Sequence, residues 1–163
     1  MLEKKENPQV RKIDYEQLLL SSTEFSLVLR SVLARGIQVR FQARGNSMIP
    51  FIRDGDILTI APTDTIIPAI GKVVAYNQAE SQSLIVHRII GKKGLNFLIR
   101  GDNSVERSDC WIHTSELLGC VIVIERNQRR IKFGLGIERY AIALLSRYSL
   151  LTKISRRMVR LFK

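Results

Sequence analysis

Histidine and cysteine are scarce in this chain, with two of each among 163 residues. Cys110 and Cys120 are too few for a disulfide framework and lack the paired spacing of a zinc site. Both are read as buried free thiols, and no metal or other cofactor is expected. Acidic residues are scarce in one region only. Residues 126–163 carry eleven Lys and Arg against a single acid, Glu138, for a net charge of +10. Residues 1–125 carry only +1, so the basic character belongs to the tail rather than to the body of the protein. No apolar run of about 18 residues or more occurs, which excludes a helix long enough to span a bilayer. The first residues, "MLEKKENPQVRKIDYEQ", are polar and of mixed charge, with no apolar stretch of the kind that directs secretion. Cytoplasmic residence is the expectation, with peripheral contact at the inner membrane face as its extension. The apolar content of 45% against 25% charged is that of a globular chain, which excludes wholesale disorder.

What is present reads in three parts. Residues 1–36 combine a disordered start with covering helices. Asp14 and Gln17 suit a first helix cap, and Ser21 and Glu24 a second. Phe25, Val28, Leu29, Val32 and Leu33 then recur at helical spacing, and Gly36 suits the C-cap. Residues 37–134 change to a period of two. "IQVRF", "ILTIA", "KVVAYN", "LIVHRII", "NFLIRG" and "GCVIVIE" read as short strands rich in Val and Ile, and "RRIKFG" as one more. No helical pattern separates them. The fold class is therefore mainly β: a coiled, barrel-like antiparallel domain flanked by N-terminal helix and a C-terminal basic amphipathic helix. Residues 135–163 return to helical period. Ile137, Tyr140, Ala141, Leu144, Tyr148, Leu151, Met158 and Phe162 share one side, with Arg and Lys mostly on the other.

One stretch departs from ordinary strand and turn chemistry. In "RGNSMIPFIRDGDILTI", residues 44–60, Ser47 sits in a glycine-flanked bend between two apolar strands. A serine hydroxyl is a poor nucleophile until a neighbouring base takes its proton. Histidine titrates in the right range for that task, and a carboxylate can fix its tautomer and stabilise the imidazolium. His87 lies within the strand "LIVHRII", where alternation sets it opposite Val86 and Arg88. His113 lies in "DCWIHTSE", read as a loop. Carboxylates cluster in "RGDNSVERSDCW" as Asp102, Glu106 and Asp109. A turn serine and a core histidine are the plain alternatives for Ser47 and His87, and composition alone does not bring these groups together. Glu106 and His113 are read as surface residues, and Trp111 as core or as a cover for the site.

Taken in order, "GNSMIP", "DGDILTI", "GKVVAY", "VHRII", "IRGDNSVERSDCW" and "HTSELLGCVIVI" resemble the signal peptidase I clan, which also contains self-cleaving repressors. The resemblance covers roughly residues 38–125. It implies that Ser47 is the nucleophile. Where bacterial signal peptidases place a lysine before an arginine, this chain has His87 before Arg88, which resembles the endoplasmic-reticulum and archaeal branch. His87 is then the general base. Asp109 is favoured as the carboxylate that orients it, with Asp102 as the alternative. The oxyanion would be held by the Ser47 amide. Gly45, Asn46 and Met48 surround that position, and Gly45 supplies no side-chain hydroxyl where many bacterial members have one. The clan binds an extended peptide with small residues before the cut, which suggests strand addition beside the Ser47 segment and "GKVVAY".

The functional expectation is a serine endopeptidase that acts on a precursor or leader peptide. A self-cleaving repressor-like switch and an inactive binder of extended peptides are the alternatives. Activity should rise as His87 loses its proton near its ordinary value of ~6.5. For residues 137–163, an anionic membrane surface and a helix packed on the domain with a solvated basic face are equal readings. Nucleic acid is disfavoured because no reading head is evident.

Overall fold

The computed structural model describes residues 22–78, 83–104 and 110–148. The helix expected after Asp14, the Ser21 cap, Glu106, Asp109 and the tail beyond Tyr148 lie outside the described residues. In chain order the elements are α1 (Ser22–Leu33), β1 (Val39–Gln42), β2 (Ile57–Pro62), β3 (Val73–Asn77), β4 (Leu84–Lys93), β5 (Asn96–Arg100), β6 (Cys110–His113), β7 (Leu117–Arg126), β8 (Arg129–Ile131) and α2 (Arg139–Arg147). All strand pairs are antiparallel, in the order β1-β2-β7-β3-β4-β5-β6, with β8 on β7. The sheet curls into a half-barrel.

Side-chain alternation explains why the inner strands read as unbroken apolar runs. Val73 and Ala75 of β3 join one buried cluster, with Leu58, Ile60, Val121 and Ile124. Val74 and Tyr76 point the other way and join a second, with Ile89, Ile99, Leu117 and Cys120. Both faces are apolar because both are covered, so polar alternation is lost. α1 seals the first cluster through Leu29 and Leu33, with Phe25 edge-on to Phe41 at 5.4 Å. It ends as the sequence suggests. Gly36 adopts a φ of 77°, and its amide returns to the Leu33 carbonyl at 2.9 Å.

Four expectations are corrected. "CWIH" is a strand, β6, and not a loop. It pairs with β5 at the end of the sheet, and its two exposed leading residues hid the alternation. Trp111 is consequently half exposed rather than core. Cys110 is exposed there too, so only Cys120 is a buried thiol. Strand addition beside β3 is excluded, because β4 and β7 already occupy both of its edges over Val74–Tyr76.

Helix α2 seats on the domain by a narrow face of Ile142, Ala143 and Ser146. Its apolar stripe of Ile137, Tyr140, Leu144 and Tyr148 turns outward. Two polar ties hold the seat. Arg100 donates to the carbonyls of Ser146 at 2.6 Å and Arg147 at 3.4 Å, a cation at a helix C-terminus. The Ser146 hydroxyl donates to Asp102 at 3.0 Å. Asp102 in turn faces Arg88, both side chains fully buried, with Arg88 Nη2 2.8 Å from Asp102 Oδ2 and Nε bonded to both carboxylate oxygens. Removing one member of such a pair leaves an uncompensated buried charge. Asp102→Ala is therefore expected to lower unfolding stability by about 3–5 kcal/mol in urea titration. Ser146→Ala, which removes one donor to that buried carboxylate, should cost about 1.5–3 kcal/mol.

Candidate functional site

Ser47 is presented by a loop closed at its neck. The Ala43 amide donates to the Asp56 carbonyl at 2.7 Å, and the Gly55 amide returns to the Ala43 carbonyl at 3.0 Å. Asp56 is fixed from inside. It accepts both the Arg126 guanidinium, at 2.8 and 2.7 Å, and the Arg53 amide at 2.8 Å. Burial would raise its pKa, but these bonds outweigh burial and hold the carboxyl below the usual range. Within the loop, Gly45 takes a φ of 91° and donates to Asp54 Oδ1 at 2.8 Å. After Ser47 the chain makes one helical turn, with the amides of Phe51 and Ile52 bonded to the Met48 carbonyl. Met48 and Ile52 go into the core, and Ser47 stays exposed.

A second strap comes from the end of β5. The Asn103 amide donates to the Ser47 carbonyl at 2.7 Å, and its side-chain amide to the Asn46 carbonyl at 3.2 Å. The Asp102 amide contacts Met48 Sδ at 3.4 Å. Between these residues Gly101 permits an approach that no side chain allows. A Cβ there would lie 2.7 Å from the Ser47 carbonyl oxygen and 2.9 Å from His87 Nε2. Among the described residues, no hydrogen bond occupies the Ser47 amide.

His87 arrives from β4, opposite Val74 of β3, with the Tyr76 ring 6.3 Å away. Its Nε2 stands 3.1 Å from Ser47 Oγ. Burial pushes its pKa from 6.5 down to about 4, since a charged imidazolium loses hydration there. A neutral ring with its proton on Nδ1 leaves Nε2 free to accept from the serine. The arrangement can therefore take a proton from Ser47 as that oxygen attacks an acyl carbon.

Other expected residues fall differently. Asp102 does not meet His87, because its carboxylate is taken by Arg88 and Ser146. The Gly45 amide is committed to Asp54, so it is no donor to an oxyanion. Met48 is an inward anchor. Asn46 is exposed beside Ser47, its carbonyl bound by Asn103. His113 ends β6 and caps the following 3-10 turn, where its ring accepts from the Ser115 amide. No cluster of metal-binding side chains occurs among the described residues. Sequence reasoning missed Asn103 and Gly101 as builders of the site and Arg88 as its foundation. The available signals were the "GDN" block and an arginine inside an otherwise apolar strand.

Burial lowers the pKa of His87 from its ordinary 6.5, which moves the expected onset toward acid pH. The unprotonated base persists as pH falls until about 4. Phosphonylation of Ser47 by a fluorophosphonate, with loss of fluoride and read by mass spectrometry, should thus keep its rate through mildly acid pH and fall as pH drops through that value. Gly101→Ala should slow the same phosphonylation by roughly 10²-fold, because the new methyl group must displace the serine or the imidazole.

Sequence comparison adds one finding to this geometry. A family model described as "Peptidase S24-like" matches residues 6–122, most of the chain and the whole of the Ser47–His87 arrangement. No curated protein matches the chain. With a β half-barrel that brings a serine and a histidine together, and a match of that extent, the chain belongs to the Peptidase S24-like family.

Proposed function

We propose that the protein is a serine endopeptidase that cuts a precursor or leader peptide after small residues. Ser47 attacks the scissile carbonyl, and His87 accepts the serine proton and returns it to the leaving amine. Water then hydrolyses the acyl-enzyme by the same route. The observation that carries this reading is the 3.1 Å approach of His87 Nε2 to Ser47 Oγ, with Ser47 exposed. The Ser47 amide, unoccupied among the described residues, suits the oxyanion. Asp109 is the carboxylate proposed for Nδ1 of His87. Its assignment rests on the resemblance of "VHRII" and "GDNSVERSDCW" to the histidine branch of the signal peptidases, and it is consistent with Asp102 being held by Arg88.

The substrate is proposed to add as an extended strand along the outer edge of β1. That strand lies at the end of the sheet, pairs with β2 on its inner side, and runs directly into the Ser47 bend. Main-chain pairing would supply affinity without demanding a particular sequence, leaving specificity to the residues beside the cut.

The test is mass spectrometry of a peptide panel with small residues before the candidate bond, with wild type and Ser47→Ala run side by side. Cleavage by wild type that falls to background in Ser47→Ala is the expected result. Asp109→Asn should lower the rate by orders of magnitude while peptide binding persists. Peptide binding without cleavage by wild type would overturn the enzyme reading in favour of a binding module. If only the protein's own chain is cut on ageing, and Ser47→Ala stays intact, the protein is a self-cleaving switch instead.

A further inference from the structure

The outward stripe of α2 is unusual for a seated helix. Helices dock by their apolar face, yet here Ile137 is 86% exposed, Leu144 58% and Tyr148 65%, and Tyr140 is half exposed. Tyr140 and Leu144 lie on α2, with Ile137 just before it and Tyr148 at its C-cap, and at helical spacing the four fall within about 80° of one side. The face that does pack is smaller and partly polar, through Ile142, Ala143 and Ser146. The connection into α2 adds a further exposed ring, Phe133, next to exposed Lys132.

Charge narrows what can cover this stripe. Arg147 is exposed at its margin. The one acid of residues 126–163, Glu138, is turned back on the chain, where it accepts from the amides of Gly134 at 2.6 Å and Gly136 at 2.9 Å. Glu138 keeps its charge, but Lys132, Arg139 and Arg147 outnumber it, so the net charge around α2 is positive. The protein's own residues 149–163 carry five Lys and Arg and no acid, and so add to the positive charge that an anionic surface would meet. A second copy of the same face is repelled by that charge. Nucleic acid would match the charge but not the exposed Ile and Leu.

We infer that this face of α2 is a docking surface for an anionic lipid bilayer. Ile137, Tyr140, Leu144 and Tyr148 would enter the interfacial layer, and the flanking Lys and Arg would meet the headgroups. Apolar burial and attraction to anionic headgroups act together in such helices, and tyrosine suits the boundary between them. The helix lies on the surface and does not cross it, since no described helix is long and apolar enough to do so. The inference does not depend on the peptidase reading.

Sedimentation of the full chain with vesicles tests it. Wild type should bind vesicles of equal parts phosphatidylglycerol and phosphatidylcholine, fail to bind phosphatidylcholine alone, and be weakened by salt. Leu144→Asp should reduce binding by about ten-fold or more, because one buried apolar side chain is worth at least that. Its thermal midpoint should match wild type, since the side chain is exposed. Three results would overturn the inference: no binding by wild type, equal binding by Leu144→Asp, or tighter binding to duplex DNA than to the mixed vesicles. A dimer that Leu144→Asp dissociates would also overturn it and assign the face to a second copy.

Discussion

A guanidinium with no access to water organises this protein. Arg88 is 0% exposed and has Asp102 as its ion partner. Its remaining donors go to the carbonyls of Gly71 and Gly134, each at 2.8 Å, and the Phe51 ring lies 5.3 Å from it. A buried ion pair gives little net stability over an apolar substitute, because desolvation offsets the attraction. Its effect here is placement. One group fixes β4, the end of β5, the turn before β3, the approach to α2 and the loop that follows Ser47. Asp102 after β5, Gly71 before β3 and Gly134 before α2 each supply a bond, and Phe51 after Ser47 a ring contact, so these segments are tied to β4 through one side chain.

The site above this foundation gains its chemistry from position rather than from strong local charge. Ser47 is held through its carbonyl by Asn103, and the next residue, Met48, is held by the core. His87 is kept neutral by burial. A base tuned this way is ready at the pH of a cell without first losing a proton. It is also weaker than an ordinary imidazole, which raises the value of accurate alignment with the serine. Gly101 is the clearest sign of that demand, since a single methyl group there meets the Ser47 carbonyl and His87 Nε2 at once.

Much of this was legible in the sequence. Valine and isoleucine at strand spacing between turn residues specified the β-domain, and Gly36 marked the end of α1. Ser47 and His87 were singled out by the resemblance of "GNSMIP" and "VHRII" to the signal peptidase I clan, not by composition or period. Three features were not legible, each for a physical reason. Asp102 read as the alternative to Asp109 for orienting His87, but its carboxylate pairs with the guanidinium of Arg88, the residue next to that histidine, and sequence does not say which of two adjacent cations a carboxylate will meet. β6 was hidden because an end strand with Trp111 and Cys110 exposed has no alternation to read. The seating of α2 was hidden because amphipathicity identifies an apolar stripe and does not say what that stripe faces. The docking came instead from Ser146 and Arg100, polar residues whose role exists only in three dimensions.

His87 and Arg88 are adjacent on β4 and point to opposite faces of the sheet. The imidazole goes to the serine, and the guanidinium goes to the buried carboxylate. A slip of β4 by one residue against β3 would exchange the two faces. It would leave Asp102 without its counterion and would turn the base away from Ser47 in the same movement. One register therefore sets two placements: a hairpin mispaired by one residue loses the buried ion pair and the Ser47–His87 approach together, and a chain that has buried its arginine has, by that fact, aimed its histidine at the serine.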